Sequence, residues 1–181
     1  MNMWKLMATS IIAATLLGAA ACTPTRTQET AGEKIDDTVV LAKVKAALAA
    51  DPVTEAHEIN VEVFRGIVQL NGFVNSAEER SRAASVAHDV GGVKQVHNNL
   101  AVKRGSTTAG EVLDDAAITG KVKAALIDSS RTKAYQIKVE TKDGVVQLSG
   151  FVDSAAAKSA AAEIAHDVSG VRSVANNIEV K

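Results

Sequence analysis

The chain has 181 residues and is nearly charge-balanced, with 20 lysines and arginines against 21 aspartates and glutamates and a net charge of −1. That balance offers no single-sign field to steer nucleic acid or acidic substrates, and 3 % aromatic content argues against a stacking platform for bases or sugars. A single cysteine excludes an internal disulfide, so stability has to come from packing, mostly of Ala, Val, Leu and Ile.

The first element is an apolar stretch, residues 6–21, behind the lone positive charge of Lys5. It is short and rich in small residues, which fits a secretory signal over residues 1–21 better than a membrane span. It ends in Ala19-Ala20-Ala21 with Cys22 immediately after. This ending resembles the lipobox of bacterial lipoproteins, with Ala19 standing where a leucine is usual. The resemblance implies acylation of Cys22, with residues 22–33 as a lipidated tether; the alternative is an ordinary cut after Ala21 that leaves a free thiol.

Beyond the tether the chain repeats itself. Val44-Lys45-Ala46-Ala47-Leu48 recurs as Val122-Lys123-Ala124-Ala125-Leu126, 78 positions on, and the same offset carries Gly72-Phe73-Val74 to Gly150-Phe151-Val152 and His88-Asp89-Val90 to His166-Asp167-Val168. About half of the positions over 34–103 match without a gap. A unit of this size closes its own small core, so two tandem domains are predicted, 34–103 and 112–181, joined by a flexible linker over 104–111.

Within a unit, Val40, Val44 and Leu48 recur at helical spacing behind Asp36-Asp37, whose charges suit a helix N-terminus, and Asp51-Pro52 ends that helix. Ile59, Val61 and Val63 then alternate with Asn60, Glu62 and Phe64, and alternation resumes after Gly66, which predicts a hairpin. Ser76 with Glu79 forms a capping box for a second helix that Gly91-Gly92 stops, whereas the second copy keeps Ser154 but has Ala157 in the Glu position. Val93, Val96, Leu100 and Val102 supply a last strand, parallel to the second by a right-handed crossover. The predicted fold class is α+β: two tandem αββαβ domains, each a three-stranded mixed sheet with two helices on one face.

The other sheet face carries Asn60, Glu62, Ile67, Gln69 and Phe73, with Lys138, Glu140, Val145, Gln147 and Phe151 as counterparts. Its apolar members are expected to serve edge packing within each unit, with packing between domains or against a partner as the alternative.

Gly66 to Gly72 and Gly144 to Gly150 carry a Gly-x-Val-x-Leu-x-Gly pattern. Gly92 to Val102 and Gly170 to Val180 carry a Gly-Val-x-x-Val-x-Asn-x-Leu/Ile-x-Val pattern. In order and twice over, they resemble the BON domain of osmotically inducible periplasmic proteins and outer-membrane lipoproteins. The resemblance implies a non-enzymatic module associated with phospholipid surfaces, envelope integrity and osmotic or other stress, here in a lipoprotein of the outer membrane facing the periplasm, or a soluble periplasmic protein. The six glycines also have a physical reading as turn and close-packing positions.

Candidate sites are few. Lys43, Lys45, Lys121 and Lys123 are candidate contacts to anionic headgroups, with a solvated helix face as the competing explanation. His88-Asp89 and His166-Asp167 invite a catalytic reading, but neighbours on a helix point about 100° apart, so a role at the helix end is preferred. Asn98-Asn99 and Asn176-Asn177 interrupt apolar strands, which suits bulges or side-chain bonds to backbone. No catalytic constellation, metal ligand set or cofactor motif has repeat support, so no enzyme activity, metal or cofactor is expected. The expected partners are a membrane, anionic phospholipid and envelope proteins rather than nucleic acid. A chaperone-like or scaffold protein binding others through the open sheet face is the alternative function.

Overall fold

A computed structural model of the chain describes residues 31–54, 58–103, 105 and 108–181. The expected signal peptide, Cys22 and residues 23–30 of the tether lie outside the described residues, as do His57 and positions 104, 106 and 107 of the expected linker.

The first unit runs α1 (Ala31–Ala50), β1 (Ile59–Phe64), β2 (Ile67–Val74), α2 (Ala77–His88), β3 (Gln95–Asn98) and β4 (Ala101–Val102). The second runs α3 (Ala109–Asp128), a 3-10 turn (Ala134–Gln136), β5 (Ile137–Lys142), β6 (Val145–Val152), α4 (Ala155–His166), β7 (Ser173–Asn176) and β8 (Glu179–Val180). In each sheet the second strand is central. It runs antiparallel to the first, with Phe64 opposite Ile67 and Lys142 opposite Val145, and parallel to the last, with Val68 opposite Val96 and Val146 opposite Val174.

The αββαβ order is thus the predicted one, with one refinement: the last strand comes in two pieces, both parallel to the central strand. The asparagines cause the break. Asn98 Nδ2 donates to the Arg80 carbonyl at 2.8 Å while its Oδ1 accepts the Leu100 N–H at 3.3 Å, and Asn176 does the same with Lys158 and Ile178 at 2.9 and 3.3 Å. The bond two residues on takes the Leu100 and Ile178 N–H groups out of the sheet ladder, a side-chain bond to backbone as the sequence led us to expect, while the other bond ties the strand to α2 or α4.

Two helix starts differ from expectation. α1 begins at Ala31, within the span read as tether, so Asp36 and Asp37 lie inside the helix rather than at its N-terminus. α3 begins at Ala109, within the span read as linker, because Thr108 and Glu111 close a capping box: the Thr108 hydroxyl accepts the Glu111 N–H at 3.3 Å and the Glu111 carboxylate accepts the Thr108 N–H at 2.7 Å. At α2 the Ser76 hydroxyl accepts the Glu79 N–H at 3.0 Å, but the Glu79 carboxylate reaches one residue further back, to the Asn75 N–H at 2.8 Å.

Each core lies between one sheet face and its two helices. Val40, Val44 and Leu48 of α1 pack on Val61, Val68, Leu70 and Val74 with Ala83 and Ala87 of α2, and Ile118, Val122 and Leu126 repeat the arrangement on Val139, Val146, Leu148 and Val152. Small alanines on α2 and α4 bring those helices close to the sheet. Burying each such valine or leucine contributes roughly 1.5–3 kcal/mol. The opposite sheet faces are left to meet each other.

Candidate functional site

The hairpin turns organise one surface of each domain. Arg65 and Gly66 both take positive φ, 52° and 80°, and Asp143 and Gly144 repeat this at 52° and 72°, the signs a type I′ turn demands at its two central positions. An arginine pays for that conformation unless something holds it. Asp37 does so from α1: its carboxylate accepts the Arg65 N–H at 2.5 Å and the Gly66 N–H at 2.8 Å, and Asp115 accepts from Asp143 and Gly144 at 2.8 and 2.9 Å. Sequence reasoning assigned Asp37 to a helix end; its recurrence as Asp115 at the repeat offset was the available signal.

Over each turn lies a groove of about 350 Å³. The first holds Lys43, Arg65 and Lys94 against Asp36 and Asp37; the second holds Lys121 and Arg172 against Glu111, Asp114, Asp115 and Asp143. The backbone is shared and the charge is not. Gly66 and Gly92, with Gly144 and Gly170, line these grooves, so the four glycines serve the turns and their approach to the first helix.

Lys43, Lys45, Lys121 and Lys123 are all exposed, on the outward sides of α1 and α3. Interleaved with them runs a solvent-facing row of small and apolar residues, Val39, Ala42, Ala46 and Ala49 on α1 and Leu113, Ala117, Gly120, Ala124 and Ile127 on α3, at the spacing that puts residues on one helix face. Leu113 and Ile127 are 72 % and 70 % exposed, and Tyr135, on the turn after α3, is 80 % exposed. No helix among the described residues is long and apolar enough to cross a membrane.

The histidines divide. His88 and His166 end α2 and α4 with exposed rings, Nδ1 standing 3.7 and 3.8 Å from the carboxylates of Asp89 and Asp167. His97, which has no repeat partner, instead bonds across the domains to the Glu179 carboxylate through Nδ1, with Nε2 2.6 Å from Gln95 Nε2. Among the described residues no three His, Cys, Asp or Glu side chains cluster as metal ligands.

The two free sheet faces pack on each other, and for Phe151 this replaces the expected edge packing within a unit with the alternative, packing between the domains. Phe151 stacks on Phe64 of the other domain, ring centroids 5.2 Å apart and planes inclined 30°. Gln69 and Gln147, both buried, exchange places across the contact. Gln69 Oε1 accepts the Gly150 N–H at 3.1 Å and Gln147 Oε1 accepts the Gly72 N–H at 2.5 Å, while their amide nitrogens donate to the carbonyls of Asn177 and Asn99 at 3.4 and 2.7 Å. Every one of these bonds has its counterpart 78 positions on, so the domains meet about a pseudo-twofold axis as an isologous dimer would. Burial at this contact raises the Glu62 carboxyl above its ordinary range, with Lys138 and Lys45 opposing the shift.

Comparison with known proteins follows the same division of the chain. The BON domain family matches residues 36–104 and 114–181. The chain belongs to the BON-domain family. It is 39 % identical over 169 residues to osmotically-inducible protein Y of Escherichia coli, covering 86 % of this chain and 83 % of that protein. It is 34 % identical over 158 residues to the outer membrane lipoprotein DolP of Haemophilus influenzae, covering 87 % and 81 %. Within this BON pair, the patterned glycines are the residues whose backbones turn, or approach a neighbour, where a side chain would not fit.

Proposed function

We propose that this protein is a non-enzymatic component of the bacterial envelope, held by an acylated Cys22 at the outer membrane on its periplasmic side, where its BON pair contacts phospholipid surfaces and supports envelope integrity under osmotic or other stress. The relatives named above, one osmotically inducible and one an outer-membrane lipoprotein, support the compartment. The single observation that favours a surface rather than a pocket is the exposed row on α3, Leu113 to Ile127, with Lys121 and Lys123 interleaved and Tyr135 exposed on the 3-10 turn that follows the helix. Apolar side chains that enter the headgroup layer, flanked by lysines contributing about 1 kcal/mol each near an anionic surface, suit a module held at a bilayer by another anchor. The chaperone-like alternative loses its binding surface, since the sheet faces it would use are packed together.

Two measurements test the reading. Labelled acyl chains should enter the wild-type chain and not Cys22→Ser; label in the variant refutes the anchor. Cys22→Ser should still float with anionic vesicles at low salt, and Leu113→Ser with Ile127→Ser should abolish flotation while leaving the thermal midpoint unchanged. Undiminished flotation of that variant overturns the role of α3.

A further inference from the structure

The pseudo-twofold contact between the domains has two flanks, and they are not alike. On one flank the Phe64 ring lies against Phe151, with the Arg65 guanidinium carbon 5.2 Å and Lys181 Nζ 5.8 Å from its centroid. Beside it His97 reaches Glu179, with Gln95 against the imidazole. That flank is filled.

On the other flank each of these groups is replaced at the repeat offset of 78 positions. Phe73 stands for Phe151 and Lys103 for Lys181, but Lys142 stands for Phe64, Asp143 for Arg65, Ser173 for Gln95, Ala175 for His97 and Ala101 for Glu179. The ring that would cover Phe73 is missing, and the side chains that would close the rim are shortened. What remains is a cleft of about 870 Å³ between the domains, walled by Phe73, Ala101, Lys103, Lys142, Ser173 and Arg172. A second hollow of about 470 Å³ shares Phe73, Lys103 and Lys142 with it. Phe73 is only half-buried there.

The geometry points to this cleft as a binding site for a small aromatic anion, a planar ring bearing a carboxylate or similar group. The filled flank shows what the space accepts: Phe64 is in effect an internal ligand, a ring stacked on a phenylalanine beneath a lysine. An incoming ring takes the same position on Phe73, in the offset stacked geometry aromatic pairs favour, with Lys103 in the place that Lys181 holds over Phe64. The anionic group meets Lys142 and Arg172. Asp143 and Glu111 also line the cleft, and Glu58 and Glu140 line the second hollow: Lys142 Nζ lies 3.7 Å from the Asp143 carboxylate, Lys103 pairs with the Glu58 carboxylate and donates to Asn75 Oδ1 at 3.0 Å, and the Glu111 carboxylate caps Thr108. Arg172 donates to the Asp143 carbonyl through Nη1 at 3.2 Å, which fixes its guanidinium at the rim with other N–H groups free to turn inward. No residue of the exposed α3 row lines this cleft.

The test is calorimetric titration of the full chain with 2-naphthoate, against 2-naphthalenemethanol as the neutral ring and hexanoate as the anion without one. Naphthoate should bind with one equivalent per chain and the other two at least about tenfold more weakly, the loss of a stack or of a charge contact each being worth about that factor. The decisive variant is Lys142→Phe, which rebuilds the filled flank: its ring should cover Phe73, abolish naphthoate binding and leave the thermal midpoint equal to or above wild type. Lys142→Ala should weaken naphthoate and leave the alcohol unchanged, and Phe73→Leu should weaken both. Naphthoate binding undiminished in Lys142→Phe, or hexanoate binding as tightly as naphthoate, overturns the site.

Discussion

The side-chain carbonyl of Gln147 accepts the backbone N–H of Gly72 at 2.5 Å, so a residue of one BON domain completes the hydrogen bonding of the other's central strand. Gln69 returns the same bond to Gly150. Truncating Gln147 to alanine leaves the Gly72 N–H and the Asn99 carbonyl unpaired in a buried contact, which should cost about 1–3 kcal/mol. Gln147→Glu should cost more, because it places a carboxylate against the Asn99 carbonyl it can no longer donate to. Urea denaturation measures both. Combining Gln69→Ala with Gln147→Ala should cost less than the sum of the two, since the first already loosens the contact the second depends on; strict additivity would mean that the domains do not pack as one unit.

Gly72 and Gly150 make that contact reachable. Their φ values are 119° and 120°, and a Cβ on either would lie 2.2 Å from the Glu58 carbonyl oxygen or 2.1 Å from that of Gln136. Backbone cannot retreat as a flexible side chain would. Gly72→Ala should therefore cost the roughly 1–3 kcal/mol of a sparsely populated backbone conformation and, in addition, displace the N–H that Gln147 binds. The thermal midpoint should fall further than in Gln147→Ala; a smaller fall would show that the strand relaxes without loss.

Much of this was legible in the sequence, for reasons that sort by range. Period-two and period-3.6 patterns name the strands and helices because each element buries one face, and Asn98 and Asn176 announce their local bonds to the Leu100 and Ile178 N–H groups by sitting in apolar strands. The contact between domains was legible only as an alternative use of the apolar residues on the open face, and the glutamine bonds that fasten it were not legible. Gln69 and Gln147 read as solvent-facing polar residues at alternating positions, and only the presence of a second sheet opposite turns them inward. Asp37 was likewise misread, since its partners at Arg65 and Gly66 lie in another element and nothing local marks a carboxylate that clamps a distant turn.

Glu62 carries an acid whose ionisation opposes folding. Burial at the domain contact raises its folded pKa above 4.5. The charged form is thus penalised in the folded chain, a cost present above the folded pKa and relieved as pH falls toward the unfolded value. Glu62→Gln should stabilise the chain at pH 7.5 and have no effect at a pH below 4.5. A difference in thermal midpoint that stays constant over this interval would place Glu62 in solvent.

Asp153 has the opposite sign. Its carboxylate accepts from Lys133 Nζ at 2.8 Å and from Gln136 Nε2 at 3.2 Å, with Lys181 Nζ 3.3 Å away, and these partners, Lys133 first, lower its pKa from 3.8 to about 2. The stabilisation is complete above the unfolded pKa and is lost as pH falls from about 4 to about 2. The side chain is 39 % exposed, so solvent screening holds the gain to about 1 kcal/mol or less. Asp153 also holds Lys181, whose ammonium lies 5.8 Å from the Phe64 ring, so its protonation loosens the filled flank of the domain contact. Asp153→Asn should flatten the acid limb of the stability curve between pH 4 and 2 and leave Lys181→Ala with less to lose. An acid limb unchanged in Asp153→Asn would assign it to other carboxylates.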